Sequence, residues 1–422
     1  MRHLVLESLA VGIAVSLTSV LVLATAPAPG AAVESYPVPS TGVFRLQGSG
    51  WGHGRGMSQW GAHQAATEGV TYQQILAFYY PGTALATIPG STVRVLLTQD
   101  TGRNLIVRAA PKLTATYTTA AGRQRVVLPT KPKGCSSSAT RWRARAVTTG
   151  VRLSAYCTRW VTVVPGSKVR TPTIGFEAPD ALIGTQNGSS KRGYRGVVTA
   201  SRTGSRSVQV INSVPMDQYL RTVVAAEVSP SWPVESLRAQ AVAARSFSAH
   251  EALGRSRYAF DVYDSVRSQA YRAAVAYDSS WRVVASREHP ATDAAIRATA
   301  GVHVVAAGVP ALTQFGASNG GATAASPLSY MRAQADPWDA AAARNPQLAW
   351  TDSVSATALR ARCSGMGTLS AVRVLAREGA GRWGGRIARL ELVGSARTCT
   401  LSSDSAIRSA FGVNSSMFTI LG

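Results

Sequence analysis

The sequence has few acidic residues. Its 422 residues include 21 Asp and Glu against 44 Lys and Arg, which gives a formal net charge of +23 and a pI near 10.8. Arginine supplies most of this charge, because only five lysines are present. Such a balance indicates attraction to polyanions, either nucleic acid or the anionic polymers of a cell envelope. A third interpretation is that the basic charge only keeps the protein soluble.

Long apolar runs are also scarce. The one run that stands out extends from Leu9 to about Ala26, follows Arg2 and precedes the small-residue segment APAPGAAVES. This order is typical of a secretory signal peptide at residues 1–32, with cleavage after Ala32. An uncleaved membrane anchor is the alternative, although the run is near the short end for crossing a bilayer. We therefore expect a secreted protein, for which anionic envelope polymers and not nucleic acid are the expected polyanions.

Cysteine and histidine are rare, with four and six residues. An even number of cysteines in an exported chain predicts disulfides. Because neighbouring cysteines close two short local loops, we predict the pairs Cys135–Cys157 and Cys363–Cys399. A zinc site is the alternative, but no cysteine pair has close ligand spacing and the histidines are scattered. The sequence predicts no metal site and no cofactor.

The sequence changes character along the chain. Residues 33–43 are rich in Pro, Ser and Gly and are predicted to be a linker, and residues 44–90 hold a glycine-rich stretch followed by two helices. Residues 91–192 contain alternating or β-branched runs separated by turn residues, which predicts a β-rich region or insertion. Helices return near Pro215. We therefore predict an α+β fold, a mixed sheet with packed helices, whose core lies at residues 193–422.

The stretch GSGWGHGRGMSQWGA has glycine at every second position for its first nine residues, from Gly48 onward. In an extended strand, successive side chains point to opposite faces, so the glycines would form one bare face that a sugar chain can approach closely. Trp51, His53 and Arg55 would then lie on the other face. Tryptophan stacks on sugar rings, and the imidazole and guanidinium groups form hydrogen bonds. The alternatives are tight packing of a loop and, for His53, a metal-ligand role.

Two helices are predicted between Pro215 and Gly254. Pro215 and Pro233 each suit the start of a helix, and Pro230 ends the first helix soon after Glu227. Glu227 is a lone carboxylate in VVAAEV, at a helix C-terminus where the dipole and the apolar neighbours both disfavour ionisation. That combination suits a general acid. A helix-end glutamate paired with an arginine explains the same pattern.

Polar residues of the second helix have two interpretations. Arg238, Gln240 and Arg245 either hold a substrate or brace the turn before Pro233. Glu235 lies in the first helical turn, where a carboxylate is favourable on structural grounds alone.

Four segments resemble the stage II sporulation protein D / LytB family of cell-wall proteins. The two specific ones are VPMDQYLRTVVAAEVSPSWPVESLRAQAVAARSFSAH and GSGWGHGRGMSQWGAHQAATEGVTYQQILAFYYPGT. The weaker ones are DSVRSQAYRAA and AIRATAGVHVVAAGVPALTQFGASNGGAT. Together they touch most of the chain from residue 44 to about residue 340.

The resemblance implies a lytic transglycosylase. Such an enzyme cleaves the β-1,4 bond between N-acetylmuramic acid and N-acetylglucosamine in peptidoglycan glycan strands and leaves 1,6-anhydro ends. The family's catalytic glutamate corresponds to Glu227. The residues expected to bind substrate are Trp51, His53, Arg55, Ser58, Gln59, Tyr219, Gln240, Arg245, Gln269, Tyr271 and Ser318. The alternative function is a non-catalytic glycan-binding protein that enhances a cell-wall amidase.

The order of these segments departs from the family pattern. The glycine-rich signature usually follows the others, whereas here it comes first. The chain ends with AIRSAFGVNSSMFTILG, which resembles the family segment that normally runs into that signature. We infer a circular permutation, in which VFRLQ at 43–47 continues MFTIL at 417–421. The permutation predicts that the two ends of the chain lie side by side in one sheet.

Overall fold

The computed structural model describes residues 33–119, 122–163, 171–179, 181–265 and 267–421. The signal peptide predicted at residues 1–32 lies outside this range. Among the described helices, none combines the length and the apolar character needed to cross a membrane.

The described chain is rich in short strands. The helices are α1 (Gln59–Thr67), α2 (Tyr72–Tyr79), α3 (Met216–Glu227), α4 (Val234–Gly254), α5 (Pro290–Ala298), α6 (Pro337–Ala341), α7 (Ala356–Arg360) and α8 (Asp404–Phe411), with a 3₁₀ turn at Arg382–Gly384. The strands of the first half are β1 (Glu34–Pro37), β2 (Val43–Gly48), β3 (Met57–Ser58), β4 (Ala84–Thr87), β5 (Thr92–Leu96), β6 (Asn104–Arg108), β7 (Thr114–Thr119), β8 (Gly122–Val127), β9 (Arg141–Val147), β10 (Gly150–Tyr156), β11 (Trp160–Thr162), β12 (Thr173–Glu177), β13 (Ile183–Asn187), β14 (Ser190–Tyr194) and β15 (Val197–Gly204). Those of the second half are β16 (Ser207–Pro215), β17 (Val262–Tyr263), β18 (Val275–Tyr277), β19 (Val283–Ser286), β20 (Val302–Ala306), β21 (Val309–Pro310), β22 (Phe315–Gly316), β23 (Trp350–Ser355), β24 (Leu369–Arg377), β25 (Ile387–Gly394), β26 (Thr398–Leu401) and β27 (Phe418–Leu421).

Two large sheets share the main hydrophobic core. One has the strand order β11-β10-β9-β6-β13-β14-β18-β19, and the other has the order β17-β5-β16-β15-β12-β7-β8. Trp142, Phe176 and Val210 are at most 1% exposed in this core. Strands on either side of residue 192 pair with each other, as β12 does with β15 and β5 with β16. The predicted β-rich region and the predicted core therefore share one interior.

Helices α1, α2 and α4 form a second core with β20, in which Ile75, Ala243 and Val304 are fully buried. The start of each short helix follows from a local side-chain cap. The Ser58 hydroxyl accepts the Gly61 N–H at 3.0 Å ahead of α1, and a capping box that begins at Thr71 opens α2. These caps fix the direction in which the chain leaves the glycine-rich stretch.

Strands from near the two ends of the described chain, β2 and β27, lie in one three-stranded sheet with the order β23-β2-β27. β2 and β27 are antiparallel, with Leu46 opposite Ile420. Phe44, Leu46 and Phe418 are fully buried beside them. The predicted α+β class and the predicted pairing of the two ends are confirmed.

The linker predicted at residues 33–43 needs a correction. Glu34–Pro37 form β1, which pairs antiparallel with β24. Glu34 accepts two hydrogen bonds from the Arg377 guanidinium, at 2.6 and 2.9 Å. The Pro- and Ser-rich composition is compatible with an edge strand, which has to satisfy only one neighbour.

Two disulfides join the pairs chosen from the sequence. Cys135–Cys157 has its Cα atoms 5.8 Å apart, and Cys363–Cys399 has them 6.2 Å apart. The first closes a loop beside the eight-stranded sheet, and the second ties the chain after α7 to β26. Within the described residues, no group of three or more His, Cys, Asp or Glu side chains could hold a metal ion.

Phe44→Ala tests the sheet that holds both ends. The ring is fully buried, so its removal should cost about 3–5 kcal/mol of unfolding free energy. Val43 precedes it on the same strand and is 37% exposed, so Val43→Ala should cost less than about 1 kcal/mol. Denaturant unfolding measures both. Equal losses in the two variants would contradict the buried pairing of β2 with β27.

Candidate functional site

Residues 49–56 do not form the extended strand that their alternation predicts. Gly50, Gly52, Gly54 and Gly56 all have positive φ, between +64° and +97°. The backbone therefore turns at every second residue, which non-glycine residues seldom allow. The expectation of one bare face and one side-chain face is wrong, because alternation alone carries no information about the sign of φ.

The turned segment wraps around groups from distant parts of the chain. A side chain on Gly54 would clash with the Arg386 guanidinium, and one on Gly56 would clash with the Gln314 carbonyl oxygen. Arg386 is 1% exposed and donates to the Gly52 carbonyl oxygen at 3.0 Å. Glycine is needed here because the backbone lies directly against these two groups.

Asp339 joins the start of α1 to the loop at residues 318–321. It is fully buried, and its Oδ1 accepts the Ser58 hydroxyl at 2.6 Å. Its Oδ2 accepts the Ser318 hydroxyl at 2.9 Å and the N–H groups of Gly320 and Gly321 at 2.8 and 2.9 Å. Burial raises the pKa of Asp339, and these hydrogen bonds act against that rise. Ser58 and Ser318, expected to bind substrate, instead hold the segments of the site together.

A cavity of about 310 Å³ lies where the glycine-rich segment meets the end of α3. Among the residues expected at the site, His53, Glu227 and Gln269 line it. The cavity also has lining residues that sequence reasoning missed: Phe247, Arg267, Ser268, Gln314 and Phe315. The fold thus brings the glycine-rich segment and the end of α3 to one cavity.

The missed residues had signals in the sequence. Phe247 lies two helical turns after Gln240 on α4, so the two share a helix face. Arg267 and Ser268 directly precede Gln269 in the segment DSVRSQAYRAA. The amide of Gln269 marked that residue as a candidate ligand, whereas the types of Arg267 and Ser268 did not mark them.

Glu227 is the last residue of α3 and is half-buried. Its Oε1 accepts the Ala270 N–H at 3.0 Å, and its Oε2 accepts from the Gln59 amide at 3.4 Å. Gln59 is 6% exposed, and its Nε2 also lies 3.5 Å from the Gln240 Oε1. Within the described residues, no arginine or lysine forms an ion pair with Glu227. Two N–H donors therefore orient the carboxyl group at the cavity.

His53 is a neutral imidazole at physiological pH. Burial chiefly, and then the charges of Arg55 and Arg386, lower the pKa of His53 to about 4. Its Nδ1 accepts the Arg55 N–H at 3.0 Å. In a neutral ring with an accepting Nδ1, the proton is on Nε2. His53 therefore brings a single N–H donor and no charge to the cavity that Glu227 also lines.

Several residues expected to contact substrate lie beneath the cavity. Tyr219 is fully buried, donates to the Gln269 Oε1 at 2.9 Å and stacks on Tyr271 with ring centres 5.0 Å apart. The Tyr271 hydroxyl donates to the Asn212 Oδ1 at 2.5 Å. Gln240 is also fully buried. The Tyr219 and Tyr271 hydroxyls bond inside the protein, and the Gln240 side chain is enclosed there with its Nε2 unpartnered among the described residues. Their role is therefore corrected from substrate contact to support of α3 and the 267–274 segment.

Arg245 is likewise internal. It is 1% exposed, pairs with Asp217 at 3.0 Å and donates to the Val302 carbonyl oxygen at 3.2 Å, so it braces α3 and α4 against β20.

On the glycine-rich segment, Trp51 is 45% exposed, and Arg55 is half-buried and forms a backbone bridge to Ala324. Neither is among the lining residues of the cavity.

The low pKa of His53 has a consequence for stability. Between its folded value of about 4 and its ordinary value of 6.5, the unfolded chain binds more protons than the folded chain, so stability falls as the pH drops through this window. His53→Gln removes the titrating group and should make the unfolding midpoint less dependent on pH there. Denaturant unfolding of both proteins across the window measures this. The same pH dependence in both proteins would contradict a half-buried, neutral His53.

Comparison with known proteins adds to this geometry. Residues 204–305 match the family model described as stage II sporulation protein (SpoIID). Over 45 residues, the chain is 53% identical to the amidase enhancer of Bacillus subtilis (strain 168), a match that covers 11% of this chain and 6% of that protein. Over 63 residues, it is 38% identical to an uncharacterised protein of Brachyspira hyodysenteriae, which covers 15% of this chain and 17% of that protein.

These matches are local, since each spans less than a fifth of the relative's length. The residues that match the family model include all of α3, with Glu227 at its end, and all of α4. They also include the segment that supplies Arg267, Ser268 and Gln269 to the cavity. Residues 204–305 of the chain therefore match the stage II sporulation protein (SpoIID) family.

Proposed function

We propose that the protein is a lytic transglycosylase of peptidoglycan glycan strands in which Glu227 acts as both acid and base. One observation carries the proposal: of the described residues that line the cavity, Glu227 alone has a carboxyl group. A hydrolase of the common type needs two carboxyl groups across the scissile bond. The SpoIID-family match and the amidase-enhancer relative support a role at the cell wall.

A single carboxyl group suffices when the substrate supplies the nucleophile. Protonated Glu227 gives its proton to the glycosidic oxygen as the bond from that oxygen to C1 of the muramic acid breaks. The carboxylate then takes the proton of the muramic 6-hydroxyl while that oxygen bonds to C1. The carboxyl group is restored, no water is consumed, and the new end is a 1,6-anhydro sugar.

The other lining residues suit a sugar substrate. Phe247 and Phe315 offer apolar surface to the faces of sugar rings. His53 has its Nε2–H as a donor for a hydroxyl or acetamido oxygen. Arg267 is exposed and contacts the Tyr263 ring at 4.1 Å from its centre. Its charge suits the lactyl carboxylate of muramic acid.

A second function is favoured by the relative named amidase enhancer. In that function, the cavity binds a glycan strand and presents it to a partner amidase, and no bond in the strand is cut. Such a role needs the shape and hydrogen bonds of the cavity but no proton transfer by Glu227.

Glu227→Gln tests the proposed reaction. The purified protein is incubated with glycan strands that carry stem peptides and with strands stripped of them, and mass spectrometry identifies the new ends. We expect 1,6-anhydro ends from the parent and at least about 100-fold fewer from Glu227→Gln, since the amide cannot transfer the proton. The matched control is Glu251→Gln on α4, outside the cavity, which should release as much product as the parent.

The enhancer function predicts a different result in the same experiment. Glycan binding without anhydro ends, together with faster release of stem peptides when a cell-wall amidase is added, would replace the enzyme with the enhancer. In that case, Glu227→Gln should leave the enhancement unchanged.

A further inference from the structure

One face of the eight-stranded sheet is basic across most of its width. None of these eight strands contains Asp or Glu. On β9, Trp142 and Ala144 point into the core, so Arg141, Arg143 and Arg145 point outward. The outward cations of the sheet are Arg108, Arg141, Arg143, Arg145, Arg152 and Lys191.

The strand register places these cations close together. Arg141 lies opposite Arg108 on β6, and Arg145 lies opposite Arg152 on β10. Lys191 continues the same face on β14, opposite Gln186 of β13. Since neighbouring strands are about 4.8 Å apart, positive charge recurs at short intervals along a path across the sheet.

Aromatic rings lie among the cations at one end of this face. The Arg141 guanidinium is 4.2 Å from the centre of the Tyr156 ring, and the Arg143 guanidinium is 4.0 Å from that of Trp160. Ring contacts hold an arginine in place without neutralising it. The Nε of Arg143 is buried and has no hydrogen-bond partner among the described residues. Within the part of the chain that the structure describes, these two cations are therefore positioned by rings and form no ion pair with an acid.

The other end of the face is concave. Arg108 and Lys191 lie 5.3 and 4.9 Å from the centre of the Trp281 ring. A side chain at Gly184 would meet that ring at 2.9 Å, so the glycine lets the indole lie against the sheet. Arg108, Lys191 and Trp281 line a cavity of about 500 Å³ that also reaches Arg141.

The acidic residue at the edge of this face, Asp278, already accepts hydrogen bonds within the protein. Asp278 directly follows β18, and its Oδ1 accepts the N–H groups of Ser280 and Arg282 at 2.8 and 2.9 Å. It stabilises the turn that carries Trp281. The face is therefore complementary to a polyanion and not to a second basic surface.

We propose that this face binds an anionic wall glycopolymer, a chain of phosphodiester-linked repeats that carry sugar rings. Guanidinium groups bind phosphate through paired N–H donors, and Tyr156, Trp160 and Trp281 offer flat surfaces to the sugars. Cations on neighbouring strands match a polymer that is charged in every short repeat. The choice of a wall polymer rests on the proposed function, because the enzyme must work where such polymers surround its glycan substrate.

The face and the Glu227 cavity are linked through the fold. β18, which pairs with β14 of the basic face, follows the segment of Tyr271, and Tyr271 stacks on Tyr219 of α3. A polymer held on the sheet would therefore keep the cavity close to the wall.

The test is the affinity for a purified, glycosylated wall teichoic acid. Arg141→Gln combined with Arg143→Gln should weaken binding by about tenfold. Trp160→Ala should also weaken binding, because it removes a flat ring surface on which a sugar can pack. The charge-matched control combines Arg362→Gln with Arg397→Gln, two exposed residues of the C-terminal region, and should change the affinity by less than about twofold. Unfolding midpoints confirm that each variant is folded.

Two results would overturn the proposal. Equal weakening in the face variant and the control would mean that net charge alone attracts the polymer. Tighter binding of single-stranded nucleic acid than of teichoic acid, lost in the same face variant, would assign the face to nucleic acid. Either result leaves the release of anhydro ends from isolated glycan strands untouched, so failure here is distinguishable from failure of the proposed function.

Discussion

The buried carboxylate of Asp339 holds together segments of the candidate site that are far apart in sequence. It accepts hydrogen bonds from Ser58, where α1 starts, and from the loop at 318–321. A carboxylate without partners is costly to bury, so this arrangement is stable only when both segments are in place. Arg386 fixes the other side of the same glycine-rich segment. His53 lies in the chain between these two anchors and is thereby held in the cavity wall.

Much of the architecture could be predicted because local chemistry determines it. Prolines mark the starts of α3 and α4, and the end of α3 places Glu227 where the sequence predicts a helix end. The segments at 43–47 and 417–421 were predicted to meet, and they lie side by side in one sheet. The glycine-rich segment leaves the same sheet that the last strand completes, which is the arrangement that the inferred permutation requires.

The rest of the site depends on contacts that sequence patterns do not record. Glycine permits both signs of φ, so regular spacing could not show that the glycine-rich segment is turned and not extended. A buried Tyr219 or Gln240 looks like a substrate ligand in sequence, since residue type does not tell whether the partner is sugar or protein. Arg267 is the opposite case, because it lines the cavity although residue type singled out only Gln269 in its short segment. Only tertiary structure separates supporting residues from lining residues.

In the proposed reaction, one carboxyl group acts while the substrate's own hydroxyl attacks. Digestion of glycan strands in water enriched in heavy oxygen tests this most directly, with mass spectrometry of the new muramic acid ends. Attack by the 6-hydroxyl should give anhydro ends without heavy oxygen, because no water enters the reaction. New reducing ends that carry heavy oxygen would contradict it, since a water molecule would then be the nucleophile and a second activating group would be required.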